Sequence, residues 1–486
     1  MEHFDDYIER NGFDKKPYQY EGVAWCLKNE VSLTNPHGVL GGIVADEMGL
    51  GKTITMLGLL CANPLRRTLI VLPTVILDQW VITIQKTMDP RLRYFVYYGR
   101  AKENLTPVFV SQFHIVLTTY QTVACEFQRP IRSVLFHISW DRIVYDEAHH
   151  LRNQDTVRSM SSRSLKSRVH WLVTGTPIQN SKRDFYSLCS LLGLPPSYYV
   201  DNENRKDIVH HFILKRKKKE VLDASALVPL VEDVQTLPWS NSYERDLATT
   251  IHSLLKFNQV SPSQPGVDAE PVVAVASAPP IPFPKVYEAL NKRTLIAYTR
   301  AKQICVLPSL LDTFLKATIP RNEMLQNEAY AAMYSTSKMN LVVERLFQRK
   351  DNGNGKLVFC QYKGEIEHLK LHLSVKGFTS VAVLDGGTSA MDRTQILGMP
   401  NSVLILQIQT CSEGLNLQEF YNEVYFTSPH WNPCVEDQAV ARCWRVGQKK
   451  PVYVFRFVML TDGCITMDSH IAEAQGVKRD IASEIV

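Results

Sequence analysis

The sequence predicts an α/β chain of two tandem lobes, each a parallel sheet flanked by helices. Two observations predict it. Short apolar runs without polar alternation recur along the chain, and that is how strands buried on both faces read. Helical stretches separate these runs, which is the βαβ alternation of a parallel sheet. In the first half the runs are Gly42–Ala45, Leu69–Leu72, Ile115–Leu117, Ile143–Tyr145 and Trp171–Val173. In the second half they are Leu357–Phe359, Val381–Leu384, Val403–Leu406, Val424–Phe426 and Val452–Phe455. One intervening helix is readable from its spacing. Ile366, Leu369 and Leu373 fall at i, i+3 and i+7, and Gly377 supplies the stop.

Between the halves the composition changes. Ser261 to Pro284 holds seven of the 25 prolines and no Lys or Arg. It reads as a flexible loop, with a proline-rich ligand as the alternative. The expected division is a first lobe at 1–235 with a helical extension, then a helical insertion at 236–345 containing the proline-rich stretch 259–284. The second lobe follows at 346–486, ending in a charged amphipathic helix from Ser469 to Ile485.

The 486 residues carry 54 Lys+Arg against 49 Asp+Glu, a formal charge of +5, and 45% are hydrophobic. A large core can form, so global disorder is excluded. So is a histone-like basic protein; any nucleic-acid contact must come from local charge. No apolar run approaches the ~20 residues that span a bilayer. The acidic start, Met1-Glu2-His3-Phe4-Asp5-Asp6, lacks the basic and apolar regions of a signal peptide, so an intracellular chain is expected. The ten cysteines form no CxxC pair, and Cys434 and Cys443 are the closest two. This spacing argues for reduced, mostly buried thiols and against a zinc module or disulfide framework.

Two motifs carry chemistry. Asp46-Glu47-Met48-Gly49-Leu50-Gly51-Lys52-Thr53 joins the first strand to a helix. Gly49 and Gly51 let the backbone curl, so that its N–H groups and the helix N-terminus face phosphate oxygens. Lys52 supplies charge for the β- and γ-phosphates, and the Thr53 hydroxyl suits Mg²⁺. The usual pattern has glycine where Asp46 stands, and Asp tolerates left-handed backbone. The second motif is Asp146-Glu147-Ala148-His149, at the carboxyl end of a buried strand, where side chains face a ligand crevice. Asp146 can hold Mg²⁺, and Glu147 can take a proton from the attacking water.

Asp146–His149 is a DEAH box, and the chain resembles the superfamily 2 ATPases of the SNF2 family over about residues 15 to 485. Pro17–Val23 resembles the Q motif, Leu69–Pro73 with Trp80 motif Ia, and Thr118–Tyr120 motif Ib. Leu172–Asn180 is motif III, Val358–Gln361 resembles motif IV and Leu384–Gly386 motif IVa. Glu413–Leu417 matches the end of motif V. Trp431–Gln438 runs on into Arg442–Gln448, which is motif VI. Gly41–Glu47 is most like the Rad5/Rad16-type branch, and the compact chain also resembles the baculovirus global transactivators.

The resemblance implies two RecA-like lobes, with the ATP site on the first and the helicase-type lobe second. It assigns the arginine-finger role to Arg445 with Arg442 beside it, adenine reading to Gln19, and a place in the nucleotide site to Gln438. ATP and Mg²⁺ are the implied cofactors. The implied partner is double-stranded DNA, gripped near Pro73, Thr118, Thr119, Gln361, Gly386, Thr410, Asn416 and Trp431. DNA-bound proteins such as nucleosomes or transcription complexes, a monomeric motor, no membrane and a nuclear location (the host nucleus if viral) complete the expectation. The implied activity is DNA-stimulated ATP hydrolysis, with translocation that displaces or remodels protein–DNA complexes. A strand-separating helicase and a transcriptional activator with weak hydrolysis are the alternatives.

Lys215-Arg216-Lys217-Lys218-Lys219 is the strongest basic run. It reads as structure plus DNA contact, against a nuclear localisation signal or a solvated helix face. Departures from the family pattern are Thr410–Glu413 in motif V, Ala441 and Trp444 in motif VI, and Ser428 and His430 before it. They bear on coupling between the lobes more than on ATP binding.

Overall fold

The computed structural model describes residues 1–31, 37–178, 181–222, 227–259, 283–319, 332–411, 415–461 and 464–485. The proline-rich stretch, Gln179-Asn180 of motif III and Glu413-Gly414 of motif V lie largely or wholly outside them.

The first sheet contains β1 (Leu40–Val44), β2 (Thr68–Leu72), β3 (Tyr94–Val96), β4 (Ile115–Thr119), β5 (Trp140–Asp146), β6 (Ser167–Val173) and β7 (Ile213–Leu214). Their spatial order is β3-β4-β2-β5-β6-β1-β7, all parallel. Successive side chains point to opposite faces. Leu69 and Val71 therefore join Ile43, Val116 and Ile143 on one side, while Ile70 and Leu72 join Val44, Leu117 and Val144 on the other. Both faces are covered by helices, so the runs needed no polar alternation.

The second sheet contains β8 (Leu230–Leu237), β9 (Gly355–Cys360), β10 (Val381–Leu384), β11 (Val403–Gln407), β12 (Tyr421–Phe426) and β13 (Val452–Met459). The order is β10-β11-β9-β12-β13-β8, again all parallel. The helix read from spacing spans Lys363–Val375; it buries Ile366, Leu369 and Leu373, and Gly377 follows at φ +76°.

Three strands escaped the sequence reading. β3 and β7 are short edges, and β8 is a charged edge strand with no apolar run. β8 pairs with β13 along its whole length, from Leu230 beside Val452 to Leu237 beside Met459. The boundary expected at 235 thus falls inside a strand of the second sheet. Among the described residues the insertion after it has no separate core. Leu247, Ile251, Ala297, Ile304, Val342 and Leu346 pack in one cluster with Val358, Ile405, Tyr425 and Phe455 of that sheet.

The last helix, Met467–Ile485, buries Ile471 in the second-lobe core, while Ile481 and Ala482 pack against the first-lobe core. It therefore touches both lobes. Among the described residues no helix is long and apolar enough to cross a membrane. The described cysteines are unpaired, most of them buried.

Candidate functional site

β1 delivers the chain into the phosphate loop, and the helix Lys52–Ala62 leaves it. Gly49 and Gly51 adopt φ of +93° and +79°. A Cβ added at Gly51 would stand 2.7 Å from the Gln19 amide nitrogen, so the tight curl demands glycine. Asp46 is not among the residues with positive φ, so left-handed tolerance does not explain it. Its carboxylate instead receives the Arg216 guanidinium, with Nε 3.0 Å from Oδ1 and Nη2 on Oδ2. Arg216 also donates to the Tyr18 carbonyl and lies 5.6 Å from the Tyr18 ring centroid.

Lys52 donates to the Asp46 carbonyl at 2.9 Å. Burial pushes its pKa down, against the pull of Glu147, Asp146 and Asp46, and Arg442 of the second lobe adds to the depression. One ammonium therefore feels the acids of its own lobe and an arginine of the other. Gln19 is buried against Leu50 and Gly51, with its amide 3.5 Å from the Leu50 carbonyl.

At the end of β5, Asp146 is held from several sides. The Trp80 indole N–H donates to Oδ2 at 2.7 Å, the Glu147 amide donates to Oδ1 at 2.9 Å, and the Tyr120 hydroxyl donates to the Asp146 carbonyl at 2.7 Å. Burial and then the Glu147 charge push the Asp146 carboxyl up to about 7, opposed by Trp80 and Lys52. Glu147 sits at φ +49°, a left-handed conformation that a glutamate rarely adopts and that costs on the order of 1–3 kcal/mol. Strain of this kind clusters at functional sites because the surroundings must enforce it. His149 Nδ1 lies 3.3 Å from Glu147 Oε2 and 3.3 Å from Thr174 Oγ1, joining the acidic motif to motif III.

From the second lobe, Arg445 donates to Asn416, and its Cβ lies 3.3 Å from where a Gly49 Cβ would stand. Arg442 Nη1 approaches the Leu415 carbonyl at 3.5 Å. Gln438 is buried on the helix Pro433–Val440, and its Nε2 has no hydrogen-bond partner among the described residues. A cavity of about 340 Å³ runs between the lobes, walled by Glu47, Met48 and Gly175 on one side and Asp437, Ala441 and Trp444 on the other.

The residues fit a nucleotide with a divalent cation. Two left-handed glycines form the cradle, beside the buried Lys52 and the Asp146 carboxyl that burial pushes up. Thr53 opens the helix beside Lys52. No group of three or more His, Cys, Asp or Glu that could hold a metal occurs among the described residues.

The expected polymer contacts fare unevenly. Thr118 and Thr119 are fully buried. Thr118 Oγ1 donates to the Tyr97 carbonyl at 2.9 Å, and Thr119 Oγ1 caps the following helix by accepting from the Thr122 amide at 3.2 Å. Their hydroxyls are committed inside, so side-chain contact with a polymer does not hold for these two. Gln361 is half-buried, with its amide on Ser428 Oγ and the Pro429 carbonyl. Pro73 caps the helix Thr74–Thr87. Gly386 and Asn416 are exposed, Asn416 being shared with Arg445. Trp431 is 43% exposed, and Lys478 donates to its carbonyl at 2.7 Å. The Thr410 side chain lies outside the described ones.

Sequence reasoning named Trp80 and His149 only as members of their motifs, and read Arg216 and Lys218 within a basic run of structure plus DNA contact. The signal for the two basic residues was alternation. In an extended segment i and i+2 share a face, and Arg216 and Lys218 turn towards the phosphate loop.

The SNF2-related domain family matches residues 18–203, and the helicase conserved C-terminal domain family matches residues 337–447. The chain belongs to the SNF2 family. It is an ATP-hydrolysing, SNF2-type motor enzyme with two lobes. Similar proteins include a SWI/SNF-related matrix-associated actin-dependent regulator of chromatin (subfamily A member 3-like 1) from Arabidopsis thaliana. That relative is 25% identical, over 96% of this chain and 71% of its own length. A global transactivator of Orgyia pseudotsugata multicapsid polyhedrosis virus is 28% identical, over 91% of this chain and 86% of its own. A solved SWI2/SNF2 ATPase core of Sulfolobus solfataricus in complex with dsDNA is 23% identical, covering 97% of this chain and 93% of that one, at a TM-score of 0.40. Of several further relatives this SNF2-family chain spans between 12% and 57% of the length.

Proposed function

We propose that this SNF2-family enzyme is a DNA-stimulated, Mg²⁺-dependent ATPase that translocates on duplex DNA and displaces or remodels bound protein. One observation carries the reading: Lys52, Asp146 and Glu147 of one lobe share an electrostatic neighbourhood with Arg442 of the other. Lys52 and the amides of the curled loop bind the β- and γ-phosphates. Glu147 accepts the proton of the attacking water, its carboxylate oriented by His149. Arg445 and Arg442 stabilise charge on the transferring phosphoryl group, a contribution of roughly 10³–10⁵ in rate for arginine fingers. Asp146 and Thr53 are the residues that would hold Mg²⁺, which when bound would supply charge neutralisation to the phosphates. With the acids on one lobe and the arginines on the other, turnover requires the lobes to meet, and that movement can be spent as a step along a polymer.

Duplex DNA as the polymer is supported by the family and by the names of its relatives, which speak of chromatin regulation and transactivation. The same relatives support a nuclear site of action. The test is ATP turnover without DNA, with single-stranded DNA and with duplex DNA, beside triplex-displacement and unwinding assays. Duplex stimulation with triplex displacement and no unwinding is expected. Unwinding would make the chain a strand-separating helicase, and no stimulation by either DNA would leave a binding protein. Lys52→Ala should abolish turnover, and Glu147→Gln should bind ATP without hydrolysing it. Unchanged turnover in both would sink the assignment.

A further inference from the structure

Lys218, the fourth residue of the basic run, opens a four-residue helix, and its side chain is only 1% exposed. Its backbone amide donates to Glu47 Oε2 at 2.8 Å, and its Nζ lies 3.5 Å from Glu47 Oε1. The same ammonium donates to the Trp444 carbonyl at 2.9 Å and lies 4.3 Å from the Trp444 ring centroid. The Trp444 indole N–H is itself anchored on the Val228 carbonyl at 3.0 Å. At the point where a Gly49 Cβ would stand, Lys218 Cε is 3.2 Å away and Arg445 Cβ 3.3 Å. One buried cation therefore touches the phosphate loop of the first lobe and the residue immediately before Arg445 in the second.

We propose that Lys218 is a positioning residue for hydrolysis, which bridges Glu47 to the Trp444 carbonyl and so fixes where Arg445 stands over the phosphate loop. The inference rests on the reading of Arg445 as the arginine that stabilises the transferring phosphoryl group. Geometry of this kind is worth a large factor in rate, because a misplacement of about 1 Å in a charged catalytic group can cost on the order of 10²-fold.

The charge state of Lys218 supplies an independent readout. Burial pushes its pKa down to about 8; Glu47 opposes this, while Lys52 and Arg445 add to it. The cavity wall beside it also carries Glu232, Asp437 and Arg456. The ammonium, with its hold on Glu47 and on the Trp444 ring, is therefore present below pH ~8 and lost above it. Arginine in its place stays charged throughout.

The experiment compares the full chain with Lys218→Met, Lys218→Arg and Arg445→Ala. Steady-state ATP turnover from pH 6.5 to 9.5 and the dissociation constant of a fluorescent ATP analogue are measured for each. Lys218→Met should lose about tenfold to a hundredfold in kcat while the nucleotide dissociation constant moves less than about threefold. Lys218→Arg should recover most of the turnover and lose the decline above pH ~8 that the parent shows. A Lys218→Met enzyme with parental kcat, or one whose affinity falls as far as its rate, overturns the proposal. So does a decline above pH ~8 that persists unchanged in Lys218→Arg, since it then belongs to another group. If Lys218→Met does not fold, the pH profile of Lys218→Arg decides alone. Arg445→Ala separates the two readings. Parental turnover in that variant removes the finger assignment itself, whereas an inactive Arg445→Ala beside a fully active Lys218→Met removes only the bridge.

Discussion

Arg216→Met tests why this phosphate loop has an aspartate at the position of its usual first glycine. Asp46 is 1% exposed and Arg216 has 12% of its side chain exposed, so the pair is almost wholly inside. Removing the guanidinium leaves a carboxylate without its charged partner in a poorly solvated site, which costs about 3–5 kcal/mol. The lost packing of the guanidinium on the Tyr18 ring adds roughly 0.5–1 kcal/mol. The double variant Asp46→Asn with Arg216→Met removes the stranded charge along with its partner. It should recover at least ~2 kcal/mol relative to the single change, since neutral replacement of a buried pair costs far less than breaking it. Equilibrium urea unfolding of the first lobe, followed by tryptophan fluorescence, gives the stabilities. Nucleotide affinity should follow the same order, because the Asp46 carbonyl also accepts from Lys52. A single variant within ~1 kcal/mol of the parent would refute the reasoning. So would a double variant no better than the single one.

Three further outcomes are expected. Trp80→Phe removes a charge-assisted hydrogen bond to Asp146 worth about 1.5–3 kcal/mol. The Mg²⁺ concentration for half-maximal turnover should rise ~10-fold or more; an unshifted Mg²⁺ curve would mean that the indole only fills space. Gly51→Ala places a Cβ 2.7 Å from the Gln19 amide at φ +79°, so nucleotide affinity should fall about 10-fold. A parental affinity by titration would show that the loop does not need this curl. His252 is fully buried, and burial pulls its pKa down to about 4. The unfolded chain takes up that proton near pH 6.5, so the stability is present above 6.5 and is lost as pH falls towards 4. About 2 kcal/mol should disappear between pH 7 and pH 5. Urea unfolding of His252→Leu at both pH values should show a pH dependence smaller by that amount, and equal slopes would refute the assignment.

The fold was legible where physics writes on the sequence locally. A strand buried on both faces reads as an apolar run, and ten such runs correspond to strands of the two sheets. β8 was not legible, because Glu232, Asp233 and Gln235 break the apolar run of this edge strand. Only its pairing with β13 makes it a strand. For the same reason the boundary drawn at 235 had no local mark, and the insertion could not be recognised as the cover of the second sheet. Its Leu247, Ile251 and Val342 need that sheet for their burial.

The site divides along the same line. Gly49, Gly51, Lys52, Asp146 and Glu147 were readable because each role depends on a residue type next to its neighbours in the chain. The residues that hold them in place act across the fold instead. Trp80 reaches Asp146, Arg216 reaches Asp46 and Lys218 reaches Glu47, each from a distant segment. Thr118 and Thr119 failed in the opposite sense. Their type suits phosphate contact, but position in a central strand and at a helix cap commits both hydroxyls internally. The basic run illustrates the mechanism most fully. Five cations in sequence invite a nucleic-acid reading, yet Asp46 at the mouth of the phosphate loop is buried and requires a partner, and the partly exposed Glu47 beside it takes one too. The run supplies them at alternate positions. What looked like charge displayed to a polymer is, for Arg216 and Lys218, charge turned inward to make an acidic phosphate loop affordable.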